Sequence, residues 1–283
     1  MKKVIALLLA LAMVFAFAAC ANSDKDTPAP SSGSNLTDAT TPTNDTPTKT
    51  DMEYVKEKGT LIVGITNFAP MDYPDANGEW IGFDADMARA FAAHLGVDVV
   101  FQEIDWDNKV FELDGKTIDV VWNGMTLTDA VKAAMETSKP YCNNAQVVIV
   151  NAAVADQYQT VESLAGLTFA VEAGSAGQEQ ATANNLTYIE VLDQATALLE
   201  VKSGTADAAI IDSLMAGAMV GEGTDYAELT YTVGLNSEEY GVGFRKGSDL
   251  AAELNAFFAA AYADGSMQAC AETYGVQAAL IAQ

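Results

Sequence analysis

The sequence predicts an α/β protein whose folded part consists of two similar lobes. Three observations support this. Strand-like and helix-like segments alternate from residue 51 to residue 283. Two stretches echo one another: Glu112-Leu-Asp-Gly-Lys-Thr-Ile-Asp119 leads into the apolar run Val120 to Trp122, and Glu200-Val-Lys-Ser-Gly-Thr-Ala-Asp207 leads into Ala208 to Ile211. The length of this region suits two lobes of about 100 residues each.

The chain opens with Lys2 and Lys3, followed by an unbroken apolar run from Val4 to Ala19. That run is short for a bilayer span, which needs about 20 residues, and suits an export signal. It ends Phe17-Ala18-Ala19-Cys20, which resembles the bacterial lipobox with Phe17 in place of the usual Leu. The expectation is a lipoprotein signal peptide over residues 1–20, with Cys20 lipidated. An ordinary secretory signal cut near Ala19 is the alternative. Residues 21–50 are rich in Pro, Ser, Thr, Asn and Asp, and Leu36 is their one large aliphatic residue. Such a stretch buries too little apolar surface to offset the entropy of ordering it, so it is expected to be a disordered tether.

In the remainder, Thr60 to Ile65 reads as a strand. Asp84 to Leu95 reads as a helix, with Asp84 as cap, Met87, Phe91 and Leu95 on one face and Gly96 at its end. Val97 to Phe101 and Asp119 to Trp122 read as strands, the latter followed by a turn at Asn123-Gly124. Gln146 to Val150 and Leu167 to Val171 are short, continuously apolar runs of the kind found in buried strands. Gly174-Ser175 opens a helix, where Ser175 and Gln178 fit a capping box. Ala208 to Ile211 and Gly241 to Phe244 are further strands, and Asp249 to Ala263 is a helix with Leu250, Leu254, Phe257, Phe258 and Ala261 inward. The pattern predicts mainly parallel central sheets.

Composition narrows the functions. There are 39 acidic and 14 basic residues, for a formal charge of −25. No Lys/Arg cluster is available to hold a phosphate backbone, so nucleic acid is excluded as a partner. One histidine and three cysteines leave too few soft ligands for zinc, and neither GxxxxGK[ST] nor GxGxxG occurs, so no metal and no cofactor is expected. Cys142 and Cys270 either pair or remain thiols; the sequence leaves this open.

Several motifs in order resemble one family. Gly82-Phe-Asp-Ala-Asp-Met-Ala88, Gly64-Ile-Thr-Asn-Phe-Ala-Pro70, Asp119-Val-Val-Trp-Asn-Gly-Met-Thr-Leu-Thr-Asp129, Ser138-Lys-Pro-Tyr141, Val161-Glu-Ser-Leu-Ala-Gly166 and Gly241-Val-Gly-Phe-Arg-Lys-Gly247 are similar to segments of the family-3 solute-binding proteins of bacterial ABC transporters. The resemblance implies a two-lobed periplasmic-binding-protein-like fold (type II), with central mixed sheets flanked by helices and a two-strand hinge. Lobe 1 would comprise 51–142 and 241–283, and lobe 2 would comprise 143–240. It implies a monomeric, extracytoplasmic, membrane-anchored protein. This would capture a polar amino acid or related zwitterion by lobe closure and hand it to ABC permease subunits, with no catalytic residues. A dehydratase of cyclohexadienyl acids on the same fold, or a ligand sensor, is the alternative.

The resemblance also places ligand-binding residues. Phe68 and Trp106 are expected as aromatic walls, with core packing as their competing role. Asn123, Gly124 and Thr126 would offer a carbonyl, an N–H and a hydroxyl. Asp212 would meet the ligand ammonium, or else cap the helix that follows. Ser175 would present a helix N-terminus to the ligand carboxylate, and Glu172 would face the ligand side chain. Trp122 is divided evenly between cleft and core. Val131 stands where the family usually carries a carboxylate-clamping Arg, which leaves the ligand open.

Overall fold

The computed structural model describes residues 49–283; the signal segment, Cys20 and most of the tether lie outside the described residues. Two mixed sheets form the framework. The first collects β1 (Thr60–Ile65), β4 (Asp98–Glu103), β5 (Val120–Thr126), β6 (Glu136–Thr137), β7 (Cys142–Asn144) and β13 (Glu238–Phe244), in the order β4-β1-β5-β13-β6 with β7 also paired to β13. A two-stranded ribbon, β2 (Tyr73–Pro74) with β3 (Trp80–Ile81), lies outside it. Helices α1 (Asp51–Lys58), α2 (Phe83–Leu95), α3 (Lys109–Asp114), α4 (Asp129–Ala134), α8 (Leu250–Ala263) and α9 (Ser266–Tyr274) belong to this lobe. The second sheet runs β10-β9-β11-β8-β12, from β8 (Gln146–Asn151), β9 (Thr168–Glu172), β10 (Thr187–Val191), β11 (Ala208–Asp212) and β12 (Leu229–Gly234). Helices α5 (Ala176–Ala183), α6 (Gln194–Ser203) and α7 (Ser213–Met219) accompany it.

The strands are parallel only in part. β1 lies parallel to β4 and β5, and β9 lies parallel to β10 and β11. β13 and β8 run antiparallel to their neighbours. Both are entered directly as the chain crosses between sheets, without the crossover helix that returns a strand in parallel. The crossings lie side by side: β7 pairs with β13 at Asn144 and Glu238, Asn143 and Glu239, and Cys142 and Tyr240.

The sequence echo is a structural repeat. In the first sheet Asp119 donates its N–H to the Ile62 carbonyl (2.8 Å) and its carboxylate accepts the Ile62 N–H (2.8 Å). In the second, Asp207 donates its N–H to the Thr168 carbonyl (2.9 Å) and accepts the Thr168 N–H (2.9 Å). Each Asp thus clamps the start of its strand to the strand before it.

Three local expectations are corrected. Asp84 does not cap α2; Gly82 is the cap residue, and no side chain bonds there. The Asp84 carboxylate is fully buried and accepts the Gly124 N–H and the Tyr141 hydroxyl, both at 2.7 Å. Asn123-Gly124 is not a turn but the middle of β5. Gly124 kinks the strand with φ +54°, and the register of β13 against β5 shifts between Gly241 and Gly243. Trp122 belongs to the core, edge-on to Phe258 with centroids 5.5 Å apart. Of the inward residues expected on α8, Phe257 is only partly buried. Cys142 and Cys270 are both free thiols; burial pushes the Cys270 thiol up to about 12. Among the described residues no helix is long and apolar enough to cross a membrane.

The two strand clamps differ in cost. Asp119 is buried and pairs with Lys58 and with Arg245, whose guanidinium is itself buried against the Leu113 and Ile118 carbonyls. Asp207 is exposed. Asp119→Ala removes a buried carboxylate paired with two cations, while Arg245 keeps Asp51 at 3.0 Å, and should cost about 3 kcal/mol. Asp207→Ala should cost about 1 kcal/mol. Urea-unfolding midpoints of the two variants check the ordering.

Candidate ligand cleft

The carboxyl ends of the parallel strands in both sheets converge on one cavity of about 240 Å³. Open α/β sheets bind ligands at this end, because the loops there are free of the sheet ladder. All eight residues expected at a ligand site line the cavity: Phe68, Trp106, Asn123, Gly124, Thr126, Glu172, Ser175 and Asp212.

The side from the first lobe is largely apolar. Phe68 follows β1, is almost fully buried and meets Tyr240 edge-on with centroids 6.3 Å apart. Gly124 makes room for that ring, since a Cβ there would lie 2.3 Å from Phe68 Cε1. Trp106, Val110, Met125 and Val131 continue the wall. Val131 packs in a cluster with Ile104, Leu113 and Met135, so no cation stands where a carboxylate clamp was in question.

The polar groups of β5 are less available than expected. The Gly124 N–H is bound to Asp84. The Asn123 side chain accepts the Thr66 N–H (3.0 Å) and donates to the Thr66 hydroxyl (2.7 Å). The Thr126 hydroxyl donates to Glu238 (2.8 Å). These groups shape the cleft and leave few donors free.

The side from the second lobe is acidic. Asp212 occupies the cap position of α7, but its side chain makes no capping bond. Its carboxylate instead accepts hydrogen bonds from Asn144 Nδ2, Gln194 Nε2 and the Tyr240 hydroxyl, the last at 2.7 Å. Asn144 Oδ1 takes over at the helix start, accepting the Leu214 N–H and the Ser213 hydroxyl. Burial, with Glu238 nearby, pushes the Asp212 carboxyl up to about 7. Glu172 ends β9, where burial and the neighbouring Asp212 raise it to about 8, and its Oε1 has no partner. Ser175 caps α5 by accepting the Gln178 N–H (3.1 Å). The Gln178 side chain closes back on the Gly174 N–H rather than on Ser175, so the box is shifted by one residue.

Lys109 and Gln194 also line the cavity and were missed. Gln194 starts α6 and carries no sequence signal. Lys109 had one: it follows Trp106 by three residues, which places both on the same side of a helical turn.

The family model for bacterial extracellular solute-binding proteins, family 3, matches residues 61–277. The chain belongs to this family. The L-cystine-binding protein TcyJ of Escherichia coli (strain K12) is 31% identical over 228 residues, 79% of this chain and 85% of that protein. The structure of an ABC uptake transporter substrate binding protein from Streptococcus pneumoniae with bound histidine is 30% identical. It covers 80% of this chain and 96% of its own, with a TM-score of 0.74. The cyclohexadienyl dehydratase of Pseudomonas aeruginosa is 26% identical over 58% of this chain and 63% of its own length. Two α/β lobes around a cleft are thus the family architecture, and three carboxyl groups, Glu172, Glu179 and Asp212, line the cleft in this chain.

Carboxyl groups held near 7 and 8 carry protons that the unfolded chain has lost, since free carboxyls titrate near about 4. The folded state therefore binds more protons between those values, and stability falls as pH rises from about 5 to about 8. Glu172→Gln removes the group with the higher value and should flatten the slope from about pH 5 upward, most completely between about pH 7 and pH 8, where Asp212 no longer contributes. Urea midpoints measured across the range test this.

Proposed function

We propose that this family-3 protein is the capture component of an ABC importer. It takes a polar amino acid, or a related small zwitterion, between its lobes, closes on it and delivers it to the membrane permease. The observation that carries the reading is the buried Asp212 carboxylate beside Glu172, facing the Phe68 and Trp106 rings across a cavity of amino-acid size. An ammonium entering there meets acceptors that are already oriented, while the rings cover an apolar stem. The two adjacent crossings at β7 and β13 are the elements about which the lobes would close. The relatives bind cystine and histidine, two amino acids with no common side chain, which supports recognition centred on the shared backbone.

The same reading makes the protein a monomeric lipoprotein exported and held at the membrane by Cys20. Palmitate labelling that is present in the native chain and lost in Cys20→Ser is its test. The competing reading is turnover of a cyclohexadienyl acid. Glu172 and Asp212 titrate in the range that suits a general acid or base. Against this, the cavity is poor in donors for a dicarboxylic acid, and no turnover of prephenate or arogenate is expected.

Losing one member of a desolvated charge pair costs about 2–5 kcal/mol, which is about 30-fold to several-thousand-fold in affinity. Asp212→Ala should therefore nearly abolish amino-acid binding, and Asp212→Asn should weaken it severely. Arg89 is engaged with Asp86 and the Trp80 carbonyl, away from the cavity. Arg89→Ala should leave affinity within about threefold. Isothermal titration decides the matter: unchanged affinity in Asp212→Ala refutes the ammonium-anchor assignment.

A further inference from the structure

The cavity offers a ligand many acceptors and few donors. Asp212, Glu172 and Glu179 line it with carboxyl groups. The amides of Asn123 and Gln194 and the Thr126 hydroxyl donate within the protein, to Thr66, Asp212 and Glu238.

Beside the Ser175 and Thr128 hydroxyls, which also line the cavity, Lys109 is the exception that brings a charge. It is the one basic side chain lining the cavity among the described residues, and it is only 8% exposed. Its ammonium lies over the Trp106 ring, 4.7 Å from the centroid. It donates to the Trp106 carbonyl at 3.0 Å and, across to the other lobe, to the Gly174 carbonyl at 2.9 Å. An ammonium has three N–H bonds, so one is left. The charged groups facing it are Glu172, Asp107 and Glu179. None of the ion pairs among the described residues includes it. A buried cation satisfied only by two carbonyls is costly until an anion reaches it. Burial pulls its pKa down, in keeping with that missing partner.

We infer that the third N–H of Lys109 receives the carboxylate of the bound amino acid, which makes Lys109 the residue that selects for a free carboxylate. The inference rests on the amino-acid reading above and supplies the carboxylate partner that the apolar Val131 wall lacks. Asp212 then holds the ammonium end, and Lys109 the carboxylate end. The same ammonium grips Gly174, so an incoming carboxylate completes a contact that ties the Trp106–Lys109 turn to the opposite lobe. The approach there is tight: a Cβ on Gly174 would lie 2.7 Å from the Asp107 Cα.

The test uses the twenty standard amino acids and L-cystine in a thermal-shift screen. The best binder and its α-carboxamide are then titrated against the native protein, Lys109→Met and Lys109→Arg. The native protein should prefer the acid over the amide by about 30-fold or more, the loss expected for one desolvated charge pair. Lys109→Met should lose about that factor for the acid and change little for the amide, and Lys109→Arg should restore most of it. Equal affinity of the native protein for acid and amide overturns the inference without any variant. An equal loss of acid and amide in Lys109→Met also overturns it, because a mere lobe contact would produce that result. If the native protein binds none of the panel, the amino-acid reading itself fails, and the assignment of Lys109 fails with it.

Discussion

The Asp212 carboxylate is shut from water and receives hydrogen bonds from Asn144 on the first chain crossing and from Tyr240 on the second. Its own N–H is bound to Gln194 Oε1 at 2.9 Å. A carboxylate in that position fixes the geometry around it. The crossings have to lie side by side for both donors to reach it, and the second sheet has to end there. Tyr240 in turn packs against Phe68, so the aromatic wall is positioned by the same residue that holds the charge. Tyr141 repeats the arrangement toward the first lobe, donating to Asp84 at 2.7 Å. Each lobe thus anchors a buried carboxylate to the crossing strands.

Two opposed tendencies are balanced in the cleft. Desolvation raises Asp212 and Glu172 toward neutrality, while the hydrogen bonds to Asp212 favour its ionised form. Near neutral pH Asp212 is divided between its two forms, and Glu172 is mostly protonated. A cation brought by a ligand tips both groups toward ionisation, because an opposite charge within a few ångströms outweighs part of the desolvation cost. The empty cleft is therefore least stable where the occupied cleft is best paired. Under the proposed function, such a difference between the two states would favour closure on the ligand.

Much of this was legible in the sequence, for identifiable reasons. Alternating segments fixed the elements, and the paired Glu-to-Asp stretches marked a repeat because each Asp performs the same clamp at residues 119 and 207. Asp212 and Glu172 were placed by the family resemblance, and each does terminate an apolar strand. The donors were misjudged, since Gly124 and Thr126 are engaged by Asp84 and Glu238, residues 40 and 112 positions away along the chain. Such long-range partners leave no local pattern. The mixed direction of the sheets was obscured for a similar reason, because a strand run does not reveal whether a helix or a chain crossing leads into it. Lys109 was overlooked although its spacing from Trp106 was visible. A basic residue on a short helix is usually solvated, whereas this one lies over the Trp106 ring and reaches the Gly174 carbonyl of the second lobe.

Calorimetry in buffers of different ionisation enthalpy tests the central claim most directly. Binding of an amino acid at pH 7 should expel protons from the acidic wall, on the order of one per molecule bound. The apparent enthalpy should then vary linearly with the ionisation enthalpy of the buffer. An enthalpy that is the same in every buffer would mean that no carboxyl of the cleft changes its charge on binding, and would contradict the account.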